Sequence, residues 1–349
     1  MNTYGPAPPL YHYGGPVKSV ENVLKGLGSK EIEINWISPP IKDNNLRFKS
    51  LDNISIYYVA QPLKYILKNN VVHWFNSFFD PTLIILLLLR KNSTIISPRG
   101  QLSKEAIKTK RKTLKKFFIQ IIKVLKPKHF HVTSEEEYRE IKAFFPKSKI
   151  DRITNISNIS YRENYNFKGE ILYFSRISKK KRVLELLELI DQYSIPLKID
   201  FYGYADDKAY LEQCLDLIDK HDFLNYKGQI SSGNILEISE NYTYFILPTL
   251  NENFGHSIVE SISAGLIPII TKGTTPFDKS LEKYFEFNFT LDRLDLERLC
   301  NKIITLNHSE LKALKQNTFK FYTEYSLSKQ IAIKDYFEMF KYRFRQLIK

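Results

Sequence analysis

The sequence predicts an α/β protein built from two doubly wound halves, each a mainly parallel sheet with helices on both faces. Three observations carry that prediction. Continuous apolar runs such as Ile171-Leu172-Tyr173-Phe174 and Tyr244-Phe245-Ile246-Leu247 have the length and character of strands buried on both faces. Amphipathic helical patterns separate these runs along almost the whole chain, and strand–helix alternation winds parallel sheets by right-handed crossovers. A polar stretch at residues 157–169 interrupts the alternation near the middle of 349 residues, a length that suits two domains better than one core.

In the first half the pattern predicts strands at 31–38, 54–60, 71–75, 94–97, 130–134 and 150–155, with helices at 18–27, 62–68, 82–90, 103–125 and 135–144. A doubly wound domain opens on a buried strand, yet only Met1 to Tyr4 precede the turn-rich Gly5-Pro6-Ala7-Pro8-Pro9. That strand is therefore short, or it starts upstream. Tyr13-Gly14-Gly15-Pro16 then turns into the first helix, and the glycine pair is either a plain turn or a place of close ligand approach. In the second half strands at 171–175, 198–202, 223–226, 244–247 and 268–271 alternate with helices near 183–193, 207–220, 235–240 and 257–264. A final helix is expected from Ser326, read as its N-cap, to Lys349. The expected division is thus 1–160, 161–325 and a helical tail at 326–349.

Hydrophobic content of 43% with 26% charged residues is that of a soluble globular chain. The two cysteines, Cys214 and Cys300, fall in helical patterns and read as small buried hydrophobes rather than a disulfide. No signal peptide is recognised at the N-terminus, and the longest apolar run, Leu83 to Leu89, is far short of a membrane span, so a cytoplasmic location is expected. The net charge of +14 is uneven: from Arg99 to Lys128 eleven Lys or Arg residues face one acid, Glu105.

The stretch from Asn251 to Pro268 organises the second half. It leaves a buried strand through a polar loop, passes Gly255, enters a short helix and meets the next strand at Pro268. A glycine opening a helix there lets backbone N–H groups approach an anion, which the helix dipole also favours. Glu252 in the loop and Glu260 in the helix would bracket a phosphate-sized site; an ordinary βα turn with two solvated glutamates fits the same residues. Arg176, at the end of the strand at 171–175, and Lys181 lie where ligands bind in open α/β sheets, beyond the strands' carboxyl ends. A planar fork and a mobile point charge suit a diphosphate, although Lys179-Lys180-Lys181-Arg182 also reads as a solvated basic turn.

Taken together these motifs resemble a known family. Pro248-Thr249, Glu252-Asn253-Phe254-Gly255 and Glu260-Ser261-Ile262-Ser263-Ala264-Gly265-Leu266-Ile267-Pro268 resemble the E-x7-E signature of GT-B retaining glycosyltransferase family 4, the glycosyl transferases group 1. Phe174-Ser175-Arg176 with Lys181 resembles its phosphate element, and Gly14-Gly15-Pro16-Val17 its N-terminal glycine loop. Ser97-Pro98-Arg99-Gly100-Gln101-Leu102 resembles a bacterial "SPRG" subgroup, while Val132-Thr133-Ser134-Glu135 and Asn155 resemble the end of the family's first domain. The likeness covers nearly the whole chain.

The resemblance implies a GT-B fold, two Rossmann-like domains with a cleft between them, and transfer of a sugar from a nucleotide-sugar. It implies that Glu260 meets the donor's ribose hydroxyls and Glu252 the transferred sugar. Arg176 and Lys181 would neutralise the leaving diphosphate, and the backbone from Asn253 and Phe254 through Gly255 and His256 to Ser257 would line the donor. Ile230 would lie against the base and Gly15 would approach the phosphates. Retaining chemistry in this family is described as front-face attack, with the leaving phosphate taking the acceptor's proton. No metal is expected, and the chain holds no D-x-D motif. Departures from the pattern are Arg182 and Ser175 where glycines are usual, and Arg99 where many members carry a histidine, which leaves sugar, phosphate or acceptor as its role. His73 matches an acceptor-side histidine or is a strand-end residue without a ligand.

From Ser103 to Leu125, Leu114, Phe117, Phe118, Ile121, Ile122 and Leu125 form a helical apolar stripe, and lysines crowd the first half. A basic amphipathic helix suits an anionic membrane surface, so the expected place of action is the inner face of a bacterial cell membrane, on a glycan or lipid-linked acceptor of surface polysaccharide or lipopolysaccharide synthesis. The opposing readings are a core-facing stripe with a solvated basic face, a nucleic-acid-binding protein, and a non-catalytic GT-B relative. No recognised nucleic-acid motif supports the second, and retention of Arg176, Lys181, Glu252 and Glu260 opposes the third.

Overall fold

The computed structural model describes residues 1–5, 14–28, 33–39, 48–51, 54–59, 62–108, 112–230 and 234–348. The chain divides into two compact units, one comprising Met1–Asn158 with Lys329–Lys349 and the other Ile159–Ser328.

The first unit runs β1 Asn2–Tyr4, α1 Gly14–Leu27, β2 Ile34–Ser38, β3 Phe48–Leu51, β4 Ile54–Tyr58, α2 Leu63–Ile66, β5 His73–Phe75, α3 Thr82–Arg90, β6 Thr94–Ile96, α4 Lys104–Lys108, α5 Lys112–Leu125, β7 His129–Val132, α6 Glu135–Phe144 and β8 Lys149–Arg152. Its sheet has the order β3-β4-β2-β1-β5-β6-β7-β8. All pairs are parallel except the β3–β4 edge, which is antiparallel. The three-residue β1 lies in the centre, paired with both β2 and β5. One face of the sheet packs on Val20, Val23 and Leu24 of α1; the other packs on Leu83 and Leu86 of α3 and Ile122 of α5.

The second unit runs β9 Ile171–Phe174, α7 Val183–Tyr193, β10 Ile199–Tyr202, α8 Lys208–Ile218, β11 Leu224–Gly228, α9 Ile235–Ile238, β12 Tyr244–Leu247, α10 His256–Ser263, β13 Ile267–Thr271, α11 Asp278–Tyr284, β14 Asn288–Phe289, α12 Arg293–Thr305 and the part up to Ser328 of α13 His308–Ile348, whose remainder belongs to the first unit. Its sheet is parallel with the order β11-β10-β9-β12-β13-β14. Counted within the unit this is 3-2-1-4-5-6, the doubly wound order in which ligands bind where the winding reverses, here between β9 and β12. Both central strands are apolar throughout because helices cover both faces.

The last helix starts well before Ser326. Asn307 Oδ1 accepts from Glu310 N at 3.0 Å and Glu310 Oε2 accepts from Asn307 N at 2.9 Å, a reciprocal capping box that starts α13 at His308. Ser326 lies inside the helix, whose distal part places Tyr336, Met339 and Phe340 in the first unit's core. Of the helix expected from Ser103 to Leu125 the described residues form α4 and α5, and 109–111 lie outside the described residues. Strands β3 and β14 and helices α11 and α12 were not anticipated. Cys214 and Cys300 are buried free thiols.

Candidate functional site

The site begins where β9 ends. Ser175 N donates to Tyr202 O at 3.2 Å and Ile177 N to Tyr204 O at 2.9 Å, drawing the turns after β9 and β10 together. An added Cβ at Gly203 would stand 1.9 Å from Ser175 O, so only glycine permits that approach. The chain then makes a 3₁₀ turn, Lys179–Lys181, and enters α7 through Arg182, whose φ of 53° is left-handed. This accounts for the departure at that position: the backbone calls for glycine, and Arg182 bears the local strain.

Lys181 Nζ is hydrogen-bonded and ion-paired with Glu252 Oε1, across the reversal between β9 and β12, and the two side chains are 11% and 10% exposed. Thr249 Oγ1 donates to the same carboxylate oxygen at 2.7 Å. The loop is stitched on both sides, by Leu250 N to Lys180 O at 3.0 Å and by Glu252 N to Thr274 O at 2.7 Å, while Thr271 Oγ1 donates to Thr249 O at 2.7 Å. Burial holds the Lys181 ammonium's pKa below its ordinary value, against the opposing pull of Glu252. A largely desolvated cation and anion thus sit at the place where this sheet order puts a ligand.

Gly255 follows with φ +80° and N-caps α10; its Cβ, if present, would lie 2.8 Å from Ile258 Cδ1. Phe254 is buried against the rings of His256 at 4.7 Å and Phe277 at 5.5 Å, which anchors the loop beneath the helix start. Asn253 is exposed, while His256 and Ser257 are half-buried. Glu260 is buried on α10, so it is not the solvated glutamate of an ordinary turn. Ile230 is half-buried two residues after Gly228. Arg176 does not join Lys181: its Nη1 pairs with Asp206 Oδ2 at 2.9 Å on the surface, an exposed contact of small worth that exchanges easily. Thr249 and Asp206 were not singled out as site residues.

In the first unit, Gly15 is exposed at the start of α1, and an added Cβ there would meet nothing within 4 Å. His73 opens β5. It is fully buried in β5, with Nδ1 3.0 Å from Tyr4 Oη and its ring stacked on Tyr4, and burial lowers its pKa to about 3. It is a neutral core histidine packed on Tyr4.

Arg99 is likewise held in place. Its Nη2 and Nε donate to Asn76 Oδ1 at 2.8 and 3.2 Å, and its Nη1 donates to Asn155 Oδ1 at 2.8 Å. Its guanidinium lies 5.2 Å from the Trp74 ring. With φ 56° its backbone is left-handed, and the following Gly100 N donates to Glu137 Oε1 at 2.8 Å. Beneath it Trp74 Nε1 donates to Ser97 Oγ at 2.7 Å, Ser97 lies 2.8 Å from His131 Nδ1, and His131 Nε2 donates to Ile153 O at 3.1 Å. That chain is buried and ends on a backbone carbonyl, so the Ser97–His131 pair is no nucleophilic dyad. Asn76 and Trp74 carry no motif signal; only strand order reveals them.

Comparison with known proteins agrees with this architecture. Residues 160–321 match the family model described as glycosyl transferases group 1. A curated relative, the UDP-N-acetylglucosamine–peptide N-acetylglucosaminyltransferase GtfA subunit of Streptococcus parasanguinis, is 24% identical over 139 residues, which is 39% of this chain and 27% of the relative. The match therefore spans about a quarter of that protein's length. Among solved structures, sucrose-phosphate synthase from Thermosynechococcus elongatus aligns over 97% of this chain and 99% of its own, at 14% identity and a TM-score of 0.75. The catalytic domain of starch synthase IV from Arabidopsis thaliana, bound to ADP and acarbose, aligns over 95% and 99% at 11% identity with a TM-score of 0.66. Anabaena HepE with UDP and glucose aligns over 94% and 97% at 12% identity with a TM-score of 0.65. These likenesses show the fold: two doubly wound α/β units of the GT-B type.

Proposed function

We propose that this chain is a retaining glycosyltransferase of family 4 that moves a sugar from a nucleotide-sugar to a glycan or lipid-linked saccharide. The observation that carries the reading is the Lys181–Glu252 pair at the β9–β12 reversal, with the Gly255 turn opening α10 beside it. The group 1 match over residues 160–321 supports glycosyl transfer, and the UDP and ADP named with two neighbours support a nucleoside diphosphate donor.

In this mechanism the diphosphate lies over the start of α10, where backbone N–H groups and the helix dipole meet negative charge. Lys181 shares its proton donors between Glu252 and the departing phosphate, and Arg176 exchanges Asp206 for a phosphate oxygen. Both place positive charge where negative charge develops, and no metal is needed. Glu252 accepts from hydroxyls of the transferred sugar and Glu260 from the ribose, while Ile230 lies against the base. The leaving phosphate takes the acceptor's proton as attack occurs on the same face. Arg99, pinned by two asparagines, is a positioning residue for the first unit's loops. The setting is the cytoplasmic face of a bacterial membrane during surface polysaccharide or lipopolysaccharide synthesis.

Nucleotide-sugars screened by thermal shift should yield one that stabilises the protein, and transfer with that donor should survive a chelator. Glu260→Ala and Arg176→Ala should each abolish transfer in a folded protein. Wild-type turnover in either variant defeats the site assignment.

A further inference from the structure

Helix α5 is apolar on more sides than its packing uses. Phe118, Ile119 and Ile122 face the core of the first unit, whereas Leu114, Phe117 and Val124 are exposed at 59%, 63% and 77%. With the half-buried Ile121 these stand at i, i+3, i+7 and i+10, one stripe along the helix. Helix α3, packed on α5, presents Ile85, Leu88 and Leu89 to solvent in the same way. Leu88, Leu89 and Val124 line one open hollow of about 490 Å³ rimmed by Arg90 and Lys91. Helix α2, packed on α3, adds exposed Leu63 and Leu67. A run of exposed leucines across three packed helices exceeds the scattered apolar exposure of an ordinary surface.

The charge around this face names its partner. Residues 62–128 carry fifteen Lys or Arg residues and two acids, nearly all of the +14 net charge. Exposed Lys64 and Lys68 flank the leucines of α2, and exposed Lys112 and Lys116 flank the stripe on α5. Two copies of this face would bring the same cationic rim against itself, which opposes self-association. Among the described residues no helix is long and apolar enough to cross a membrane. Leucine and phenylalanine beneath a ring of lysines, on short helices, is the chemistry of a surface that lies in the interface of an anionic bilayer.

We infer that α2, α3 and α5 together form a membrane-docking face that inserts Leu88, Leu89, Leu114, Phe117 and Val124 below the headgroups of an anionic leaflet, with the lysine rim on the phosphates. This rests on the membrane-surface reading of the basic segment and goes beyond it, since adsorption by charge alone needs no apolar contact.

The test is flotation of the full chain with phosphatidylcholine vesicles with and without 30% phosphatidylglycerol. The expected result is binding to the anionic vesicles that largely persists in 0.5 M NaCl. The triple variant Leu114→Gln, Phe117→Gln, Val124→Gln should lose at least tenfold in partitioning while keeping its circular dichroism and its stabilisation by donor. Lys112→Glu with Lys116→Glu should lose a smaller factor, seen at low salt and absent in 0.5 M NaCl. Trp36 and Trp74 are fully buried, so Phe117→Trp adds one exposed reporter, and brominated acyl chains should quench it. Binding stripped entirely by salt, unaffected by the triple variant and without quenching would overturn insertion while leaving charge adsorption intact. Absence of binding to anionic vesicles would overturn both, as would a dimer or an acidic protein complex that the triple variant dissolves.

Discussion

Replacing Glu252 by Gln removes one charge and keeps the shape of the side chain. The amide oxygen can still accept from Thr249 Oγ1, so the loss falls on Lys181, whose ammonium would remain in a site where it is 11% exposed. Stranding one member of a fully buried pair costs about 3–5 kcal/mol; the small remaining water access lowers this to about 2–4 kcal/mol. For a unit of this size that is a fall in Tm of about 5–12 °C. Removing the second charge as well, with Lys181→Met in the same chain, should restore most of the stability and none of the transfer activity. The deficit should also depend on pH. Burial already holds the Lys181 pKa below its ordinary value, and Glu252 opposes that. In the Gln variant the opposition is gone, so the folded state sheds its proton at lower pH while the unfolded chain keeps it to about 10.4. Across that window the unfolded state binds more protons and stability climbs with pH. Chemical denaturation at pH 7 and pH 9 should therefore show a larger deficit at pH 7. A deficit under about 0.5 kcal/mol at pH 7, or one unchanged at pH 9, would refute the account of a desolvated pair.

Two further outcomes follow from the same unit. Gly255→Ala forces a side chain onto φ +80° and brings Cβ within 2.8 Å of Ile258 Cδ1; it should cost about 1–3 kcal/mol by thermal melting and weaken donor binding by calorimetry. Lys315 is buried with Asn164 Oδ1 at 2.9 Å and Gly265 O at 3.0 Å as acceptors, and burial lowers its pKa to about 7. Below pH 7 folded and unfolded states are both protonated; above it the unfolded chain holds the extra proton, so stability should rise by up to about 1.4 kcal/mol per pH unit. Lys315→Met should flatten that slope between pH 7 and 10, and an unchanged slope would contradict the assignment.

Much of the fold was legible because buried parallel strands are contiguous apolar runs, and helices between them repeat at 3.6 residues; both are local signals. The caps at Ser134 and Asp207 are equally local, each accepting a backbone N–H three residues on, from Glu137 at 3.2 Å and Tyr210 at 3.2 Å. The start of α13 is also written locally, in the Asn307–Glu310 capping box, while Ser326 carries a cap residue type inside the helix. The two-residue β14 and the edge strand β3 left too short a pattern to register. In the site, Gly255 was readable since a glycine before a helix states its own backbone need. The pairing of Lys181 with Glu252 was not, because the two lie 71 positions apart and meet only through the β9–β12 adjacency.

The sequence by itself determined the alternation, and with it the two doubly wound units, together with the residue types around a phosphate-sized turn. Tertiary structure decided which of those residues are available. It buried His73 under Tyr4, pinned Arg99 between Asn76 and Asn155, and left Arg176 on Asp206. It also divided one apolar stripe on α5 into a core face and an exposed face. Periodicity is a property of neighbours along the chain, whereas burial and pairing depend on which distant strands become adjacent, and strand order belongs to the whole sheet.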